Sequence, residues 1–223
     1  MAWPPGHPII AFVTDRARAA PPDDPDALVR RIAAAARAGV DLVQVRERDL
    51  DDRALLSLVR RAREAVAGTG ARVVVNDRLD VALAAQADGV HLRADAFAAS
   101  HARTMALPPF LIGRSVHTRL EATTAADDGG CDYLFFGTVF PSAGKPSDHT
   151  AVGTAALREV VAALRVPVVA IGGITTDNVV DVARTGCAGV AAIGAFMSAP
   201  DAAAMASRVD AMRRAFDTRS GVS

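Results

Sequence analysis

The sequence predicts a single-domain α/β protein, a (β/α)8 (TIM) barrel, and three features of its 223 residues carry that prediction. Eight short apolar segments alternate with longer amphipathic segments from one end of the chain to the other. The apolar segments are continuous hydrophobic runs, which is typical of parallel strands buried on both faces. No long linker or low-complexity tract interrupts the series, so one barrel at the short end of the usual size range is the simplest architecture.

The eight strands are predicted where Val, Ile, Leu, Ala and Phe dominate and glycine or a polar residue follows. β-Branched and aromatic residues favour extended backbone, and burial on both faces favours uniform hydrophobicity. The predicted strands are residues 9–14, 42–45, 73–75, 89–92, 110–113, 133–137, 168–171 and 190–193.

The intervening segments carry apolar residues at helical spacing. Residues 25–38 place Leu28, Ile32 and Ala35 on one face, and residues 51–67 begin with acidic residues that suit the positive end of a helix dipole. A doubly wound open sheet is the alternative architecture, but it usually needs fewer strands, and no Gly-x-Gly-x-x-Gly follows the first strand. The other predicted helices are residues 79–85, 96–105, 120–128, 154–164, 177–185 and 201–216.

These elements divide the chain into an N-terminal extension (1–8), a barrel domain (9–217) and a C-terminal tail (218–223). The first eight residues lack the basic and apolar regions of a signal peptide. No apolar run reaches the roughly 18 residues of a membrane span. We therefore expect a cytoplasmic protein with no membrane partner.

Composition argues against several classes of partner and site. Basic and acidic residues balance at 25 each and aromatic residues make up only 4% of the chain, so we expect no nucleic-acid partner. Cys131 and Cys187 lack a metal-ligand spacing and are interpreted as small buried residues in a reducing compartment. The oligomeric state is left open, with a homo-oligomer among the outcomes.

Polar residues cluster where the predicted strands end, which is where (β/α)8 barrels carry their functional residues. Each cluster also has a purely structural interpretation: ion pairs on the surface, helix caps, turn glycines or a solvated lysine. Their convergence on one rim predicts a polar pocket. The candidate residues are Gln44, Arg46, Arg48, Asn76, Asp77, Ser115, His117, Lys145, Gly172, Gly173, Ile193 and Gly194.

Two of these clusters suggest specific chemistry. His117 follows an apolar strand, and imidazole has the unperturbed pKa best suited to proton transfer near neutral pH; its alternative role is to cap the helix that follows. Gly172 and Gly173, with Gly194 after the eighth strand, predict a phosphate site, because backbone N–H groups at glycines can approach phosphate oxygens. Lys145 lies in a long loop and is a second candidate for an anionic group.

Five motifs, in order and spanning nearly the whole chain, resemble the thiamine phosphate synthase/TenI family. The resemblance implies a (β/α)8 barrel that acts on a phosphorylated thiazole in thiamine biosynthesis. The motifs are Gln44-Val45-Arg46-Glu47-Arg48, Asn76-Asp77-Arg78, Ala87-Asp88-Gly89-Val90-His91-Leu92, Gly137-Thr138-Val139-Phe140-Pro141 and Ala170-Ile171-Gly172-Gly173-Ile174.

The family contains two activities. Thiamine phosphate synthase joins a pyrimidine diphosphate to a thiazole phosphate with Mg²⁺, whereas the TenI-type thiazole tautomerase aromatises a carboxythiazole phosphate tautomer without a metal. Three departures from the synthase pattern favour the tautomerase branch, as does the segment 113–117. The first motif ends in Arg48 instead of Lys, the second metal-binding Asp is replaced by Ala96 with Asp95 one position early, and the loop 141–145 lacks one hydroxyl and has another changed.

The tautomerase hypothesis therefore comes first, with His117 as acid and base and no cofactor. In this hypothesis the backbone of Gly172, Gly173, Ile193 and Gly194 holds the phosphate. A cation from the set Arg46, Arg48 and Lys145 faces the carboxylate, and Ser115 and Asn76 line the pocket.

The alternative is a synthase in which Asp77 binds Mg²⁺, with Asp95 beside it. Gln44, Arg46, Asn76 and Lys145 then hold the pyrimidine diphosphate. A third possibility is a non-catalytic regulator that binds the thiazole phosphate.

Overall fold

The computed structural model describes residues 3–4, 6–18, 24–141 and 151–217, which form a closed barrel of eight parallel strands. Neighbouring strands pair in chain order, and β8 pairs with β1 to close the barrel. The predicted (β/α)8 barrel is thereby confirmed. The strands are β1 (Ile9–Val13), β2 (Leu42–Val45), β3 (Arg72–Asn76), β4 (Gly89–Leu92), β5 (Leu111–Val116), β6 (Tyr133–Phe136), β7 (Val168–Ile171) and β8 (Gly189–Ala192).

Helices connect consecutive strands and pack around the barrel. Short polar side chains begin several of them: Asp51 accepts a hydrogen bond from the backbone of Ala54 at 2.8 Å, and Asp24 caps the first helix in the same way. The helices are α1 (Pro25–Arg37), α2 (Asp52–Val66), α3 (Leu79–Ala84), α4 (Ala99–Met105), α5 (Arg119–Asp127), α6 (Gly153–Ala163), α7 (Val179–Ala183), α8 (Gly194–Met197) and α9 (Ala202–Asp217).

The strands separate two apolar cores because successive side chains point to opposite faces. One face packs against the helices and contributes the larger core, which includes Phe12, Val43, Val75 and Phe136. The other face fills the barrel interior. The interior core consists of Ile9, Ala11, Val13, Leu42, Val74, Leu111, Tyr133, Phe135, Val169 and Ala191.

The structure differs from the sequence prediction at two places near the rim. β5 continues to Val116 instead of ending at residue 113, because Arg114 and Ser115 still pair with β6. The helix predicted over 201–216 is present as α9, and an additional four-residue helix, α8, precedes it. Both differences bring polar residues or backbone to the carboxyl end of the barrel.

The N-terminal segment contacts the opposite end of the barrel interior. Trp3 packs edge-on against Tyr133, with ring centroids 5.8 Å apart, and the guanidinium of Arg72 lies 5.3 Å from the Trp3 ring centroid. The predicted tail at 218–223 lies outside the described residues, and the division of the chain into extension, domain and tail stays a prediction. Among the described residues no helix is both long and apolar enough to cross a membrane.

Candidate functional site

A cavity of about 1010 Å³ opens at the carboxyl end of the barrel. Its volume is at the upper end of the range of about 300–1,000 Å³ that is usual for small-molecule sites. The convergence predicted from the strand ends is therefore present: of the candidate residues that the structure describes, only Asp77 does not line the cavity but lies beside it. Lys145 lies outside the described residues. The candidates that line the cavity are Gln44, Arg46, Arg48, Asn76, Ser115, His117, Gly172, Gly173, Ile193 and Gly194.

The glycines after β7 form one end of the cavity. Gly172 and Gly173 have φ angles of +101° and +64°, which L side chains rarely adopt. A Cβ at Gly172 would lie 2.5 Å from Cγ2 of Thr138, so the loop after β7 packs directly on the loop after β6. The side chain of Asn178 braces the same loop, donating to the carbonyl of Gly173 at 2.8 Å and accepting from the amide of Thr175 at 2.9 Å.

Helix α8 and Arg208 complete this end of the cavity. Gly194 begins α8 and is exposed, and a Cβ added there would contact nothing within 4 Å. Arg208 reaches in from α9 and donates to the carbonyl of Ala195 and, at 2.9 Å, to the hydroxyl of Ser198. The sequence analysis missed Arg208, because a single arginine within a helix gives no signal of where its guanidinium lies.

The opposite part of the cavity, formed by β2 to β5, is polar and cationic. Gln44 is buried and donates through Nε2 to Oδ1 of Asn76 at 2.9 Å, which orients both amides. Burial, together with Arg48, lowers the pKa of the half-buried Arg46 guanidinium, although arginine stays protonated in proteins. A partly desolvated cation, Arg46, and an exposed one, Arg48, beside oriented amides suit an anionic ligand.

Glu47 faces away from the cavity and holds the loop after β1. Its carboxylate accepts from Oγ1 of Thr14 at 2.5 Å and from the amide of Arg16 at 3.0 Å. Burial raises the pKa of Glu47. Thr14 in turn accepts from the amide of Arg46 at 2.9 Å. The triplet 46–48 is therefore not a simple cluster of surface ion pairs, because its central residue is buried and structural.

His117 lines the cavity and does not cap α5. Thr118 is the cap, with its hydroxyl accepting from the amide of Glu121 at 3.1 Å. Nδ1 of His117 lies 2.5 Å from the carbonyl oxygen of Gly137, and a carbonyl can only accept, so Nδ1 carries the proton. Nε2 of the neutral ring is then the acceptor and is available for proton transfer.

Arg114, within the segment 113–117, does not face the cavity with Ser115 and His117. Its side chain leaves the other face of β5, and its guanidinium donates to three carbonyls of the loop after β4, those of Ala94, Ala96 and Phe97, at 2.8–2.9 Å. Alternate residues of a strand face opposite sides. Gly113 and Ser115 therefore face the barrel interior and the cavity, whereas Arg114 does not.

The loop after β4 also decides which residue supplies the second carboxylate. Ala96 packs against the outer apolar core, whereas Asp95 lines the cavity. Arg93 contacts both carboxylates. Its guanidinium donates to Asp95, with Nε 2.9 Å from Oδ1, and lies 3.8 Å from Oδ2 of Asp77. Asp95, one position before residue 96, is therefore the carboxylate of this loop that lies at the rim of the cavity.

The carboxylates of Asp77 and Asp95 are the type of ligand that Mg²⁺ takes in proteins. Mg²⁺ in enzymes that act on phosphates is commonly held by one or two carboxylates together with substrate oxygens. Asp77 has φ +63° and a side chain 31% exposed, which leaves its oxygens accessible. Among the described residues no cluster of three or more His, Cys, Asp or Glu side chains that could hold a metal is present.

The fold and the site together define a class of protein. Glycine-lined loops after β7 and β8, a short extra helix and a cationic wall at the carboxyl end are the means by which (β/α)8 barrels bind small phosphorylated molecules. The comparison with known proteins identifies the family within this class: residues 10–196 match the thiamine monophosphate synthase family, and the chain belongs to it. This is a family of thiamine biosynthesis enzymes, as the five motifs predict.

Several relatives share most of their length with this chain. The thiamine-phosphate synthase of Methanoculleus marisnigri is 45% identical over 172 residues, which are 77% of this chain and 81% of the relative. That of Roseiflexus castenholzii is 37% identical over 199 residues, 89% and 85% of the two chains. The thiamine phosphate pyrophosphorylase of Pyrococcus furiosus superposes with a TM-score of 0.81 at 32% identity and covers 96% of this chain and 97% of its own.

The names of these relatives bear on the branch of the family. The sequence favours the tautomerase branch because of its departures at Arg48, Ala96 and the loop 141–145. The relatives carry the synthase name instead, and Asp95, one position before the departure at Ala96, lines the cavity. The loop that contains Lys145 lies outside the described residues, so its departure has no structural account.

We expect Gly172→Ala to destabilise the protein by about 2–6 kcal/mol, because the left-handed backbone costs about 1–3 kcal/mol and overpacking against Thr138 adds a similar amount. Gly68→Ala is the matched control, since Gly68 has φ +78° but open space where a Cβ would lie. Urea unfolding of both variants measures the difference. Equal losses would contradict a packing role for Gly172.

Proposed function

We propose that this protein is a thiamine-phosphate synthase. The reaction would form a bond between the pyrimidine methylene carbon and the thiazole nitrogen, while the bond from that carbon to the diphosphate oxygen breaks and pyrophosphate leaves. The observation that carries the proposal is the meeting of Asp77 and Asp95 at the guanidinium of Arg93, across the barrel from the glycine loops. One cavity thus offers separate places for a diphosphate and for a monophosphate.

The charge of the cavity supports two phosphorylated substrates. Its described lining contains five arginines and a single carboxylate, that of Asp95. Such an excess of cationic groups in a concave site concentrates polyanions. A tautomerase substrate carries one phosphate and one carboxylate, whereas the two synthase substrates together bring a diphosphate and a monophosphate. The arginines in the lining are Arg18, Arg46, Arg48, Arg93 and Arg208.

Each half of the cavity has a role in this reaction. The backbone of the loops at Gly172, Gly173 and Gly194 would hold the thiazole phosphate, with Arg208 nearby. Gln44 and Asn76, whose amides orient each other, would bind the pyrimidine diphosphate together with Arg46 and Arg48. The strands that carry the two groups, β2 and β3 on one side and β7 and β8 on the other, belong to different parts of the barrel rim, so the substrates would meet above its interior.

Asp77 and Asp95 would hold Mg²⁺ on the pyrimidine side. A bound Mg²⁺ supplies positive charge to the diphosphate oxygens and so favours their departure. The residues of the chain position the carbon and the nitrogen that react, which lowers the entropic part of the barrier. Arg93 pairs with both carboxylates in the structure, and its guanidinium would shift toward the diphosphate.

The decisive assay supplies purified protein with the pyrimidine diphosphate and the thiazole phosphate, with and without Mg²⁺. The proposal expects stoichiometric pyrophosphate and thiamine phosphate, and no turnover after chelation. Turnover of the carboxythiazole phosphate tautomer alone, without pyrophosphate release, would contradict it.

Tautomerisation is the second candidate, and the geometry of His117 favours it. A ring that donates through Nδ1 to the Gly137 carbonyl presents Nε2 as a base, able to take a proton from one carbon and return it to another. His117→Asn keeps a polar side chain but cannot relay a proton. If tautomerisation is the activity, this variant loses turnover of the tautomer; a synthase would retain Mg²⁺-dependent pyrophosphate release.

A further inference from the structure

A buried chain of three polar side chains leads from the barrel interior to the cavity. The proposed reaction uses neither of the two innermost side chains, those of Tyr133 and His91. The hydroxyl of Tyr133 lies 3.1 Å from Nδ1 of His91, and Nε2 of His91 lies 2.9 Å from Oγ of Ser115. Tyr133 and His91 are 0% and 1% exposed, whereas Ser115 lines the cavity.

The barrel is built to admit this chain. A Cβ at Gly113 would lie 2.1 Å from the Tyr133 ring, so the glycine leaves the space that the phenol fills. The His91 ring packs on Phe135, with centroids 4.3 Å apart. The rings of Tyr133 and His91 are thereby fixed beneath Ser115.

Burial sets the protonation of both rings. Burial lowers the pKa of His91 to about 3, so the ring is neutral and carries one proton. Burial, followed by the nearby Asp132 and Cys131, raises the pKa of Tyr133, so the phenol keeps its proton. The hydrogen-bond partners then determine where the His91 and Tyr133 protons point.

The Tyr133 hydroxyl resolves that direction. Among the described residues its one hydrogen-bond partner is Nδ1 of His91. If Nδ1 carried the proton, the phenol O–H would point into apolar surroundings without an acceptor, which buried donors avoid. The phenol therefore donates to Nδ1, the imidazole carries its proton on Nε2, and Nε2 donates to Ser115.

We propose that Tyr133 and His91 are positioning residues that commit the Ser115 hydroxyl to donate into the cavity. Because Oγ already accepts from His91, its own proton is directed at the ligand. Ser115 thereby selects a hydrogen-bond acceptor, a ring nitrogen or an anionic oxygen, over a donor. Ser115 bonds to His91, which pairs in register with Asn76 on the neighbouring β3, so the acceptor belongs to the pyrimidine diphosphate; this last step rests on the proposed function.

The first test uses the free protein and is independent of any activity. Long-range ¹H–¹⁵N spectra of histidine-labelled protein, with the signal assigned by its loss in His91→Gln, report which nitrogen carries the proton. The proposal expects the proton on Nε2 in the wild type and a shift toward the Nδ1-protonated form in Tyr133→Phe. A wild-type ring protonated on Nδ1 would overturn it.

The second test is a double-mutant cycle on the KM of the pyrimidine diphosphate. Tyr133→Phe is expected to raise KM about tenfold, the usual worth of one directed hydrogen bond, and to have no further effect in a Ser115→Ala background. The His91→Gln amide accepts and donates in the same sense as the proposed tautomer, so it should retain most of the affinity. Independent effects of Tyr133→Phe and Ser115→Ala would overturn the proposal, and absence of any turnover with a correct tautomer would count against the proposed function alone.

Discussion

Asp77→Asn is expected to lower Mg²⁺-dependent turnover by about 10²-fold or more, because a metal that stabilises departing charge is worth several kcal/mol. The fold should be unaffected, since Asp77 has φ +63° and asparagine adopts this left-handed backbone as readily as aspartate. The substitution removes the negative charge but keeps the shape of the side chain. Initial rates across a Mg²⁺ titration, with thermal unfolding as the check on folding, measure the effect.

The chain offers a matched control for that experiment. The guanidinium of Arg78 donates to both carboxylate oxygens of Asp80, two residues later, just as that of Arg93 donates to Asp95. Asp80, however, does not line the cavity. Asp80→Asn should therefore leave the Mg²⁺ requirement unchanged, whereas Asp95→Asn should raise it. Wild-type Mg²⁺-dependent turnover by Asp77→Asn protein would show that Asp77 does not bind the metal.

The sequence predicted the barrel because the fold depends on features that are local in the chain. Continuous runs such as residues 42–45 and 168–171 can be buried on both faces only in a parallel sheet, and eight of them match a closed barrel. The candidate residues at the strand ends converge because the topology, once known, brings all carboxyl ends together. Ten of the twelve line one cavity for that reason alone.

What the sequence did not predict depends on side-chain direction and loop path. Residue 95 lines the cavity and residue 96 faces the outer core, a choice that the Arg114 contacts to the loop carbonyls determine and that motif spacing does not contain. Arg208 comes from a helix that looks ordinary in sequence. His91 occurs in a family motif, yet its role as a link between two hydroxyls depends on the space that Gly113 leaves for a ring on another strand.

The protein is expected to lose stability at low pH because His91 is buried. Burial lowers the pKa of this ring from 6.5 to about 3. Above pH 6.5 the ring is neutral in both the folded and the unfolded chain and its titration contributes nothing. Below that pH the unfolded chain binds a proton that the folded chain does not, so the free energy of unfolding falls by about 1.4 kcal/mol per pH unit, or about 4–5 kcal/mol by pH 3.

Urea unfolding of the wild type and of His91→Gln across that pH range isolates the effect, because the carboxylates titrate alike in both proteins. The glutamine amide can accept from Tyr133 and donate to Ser115 but binds no proton, so its disadvantage at neutral pH should shrink steadily as the pH falls below 6.5. Parallel curves for the two proteins would mean that His91 takes up a proton in the folded state, which the closed packing of Phe135 and Tyr133 around the ring opposes. The same buried ring thus links acid sensitivity of the barrel to the hydrogen-bond direction at Ser115.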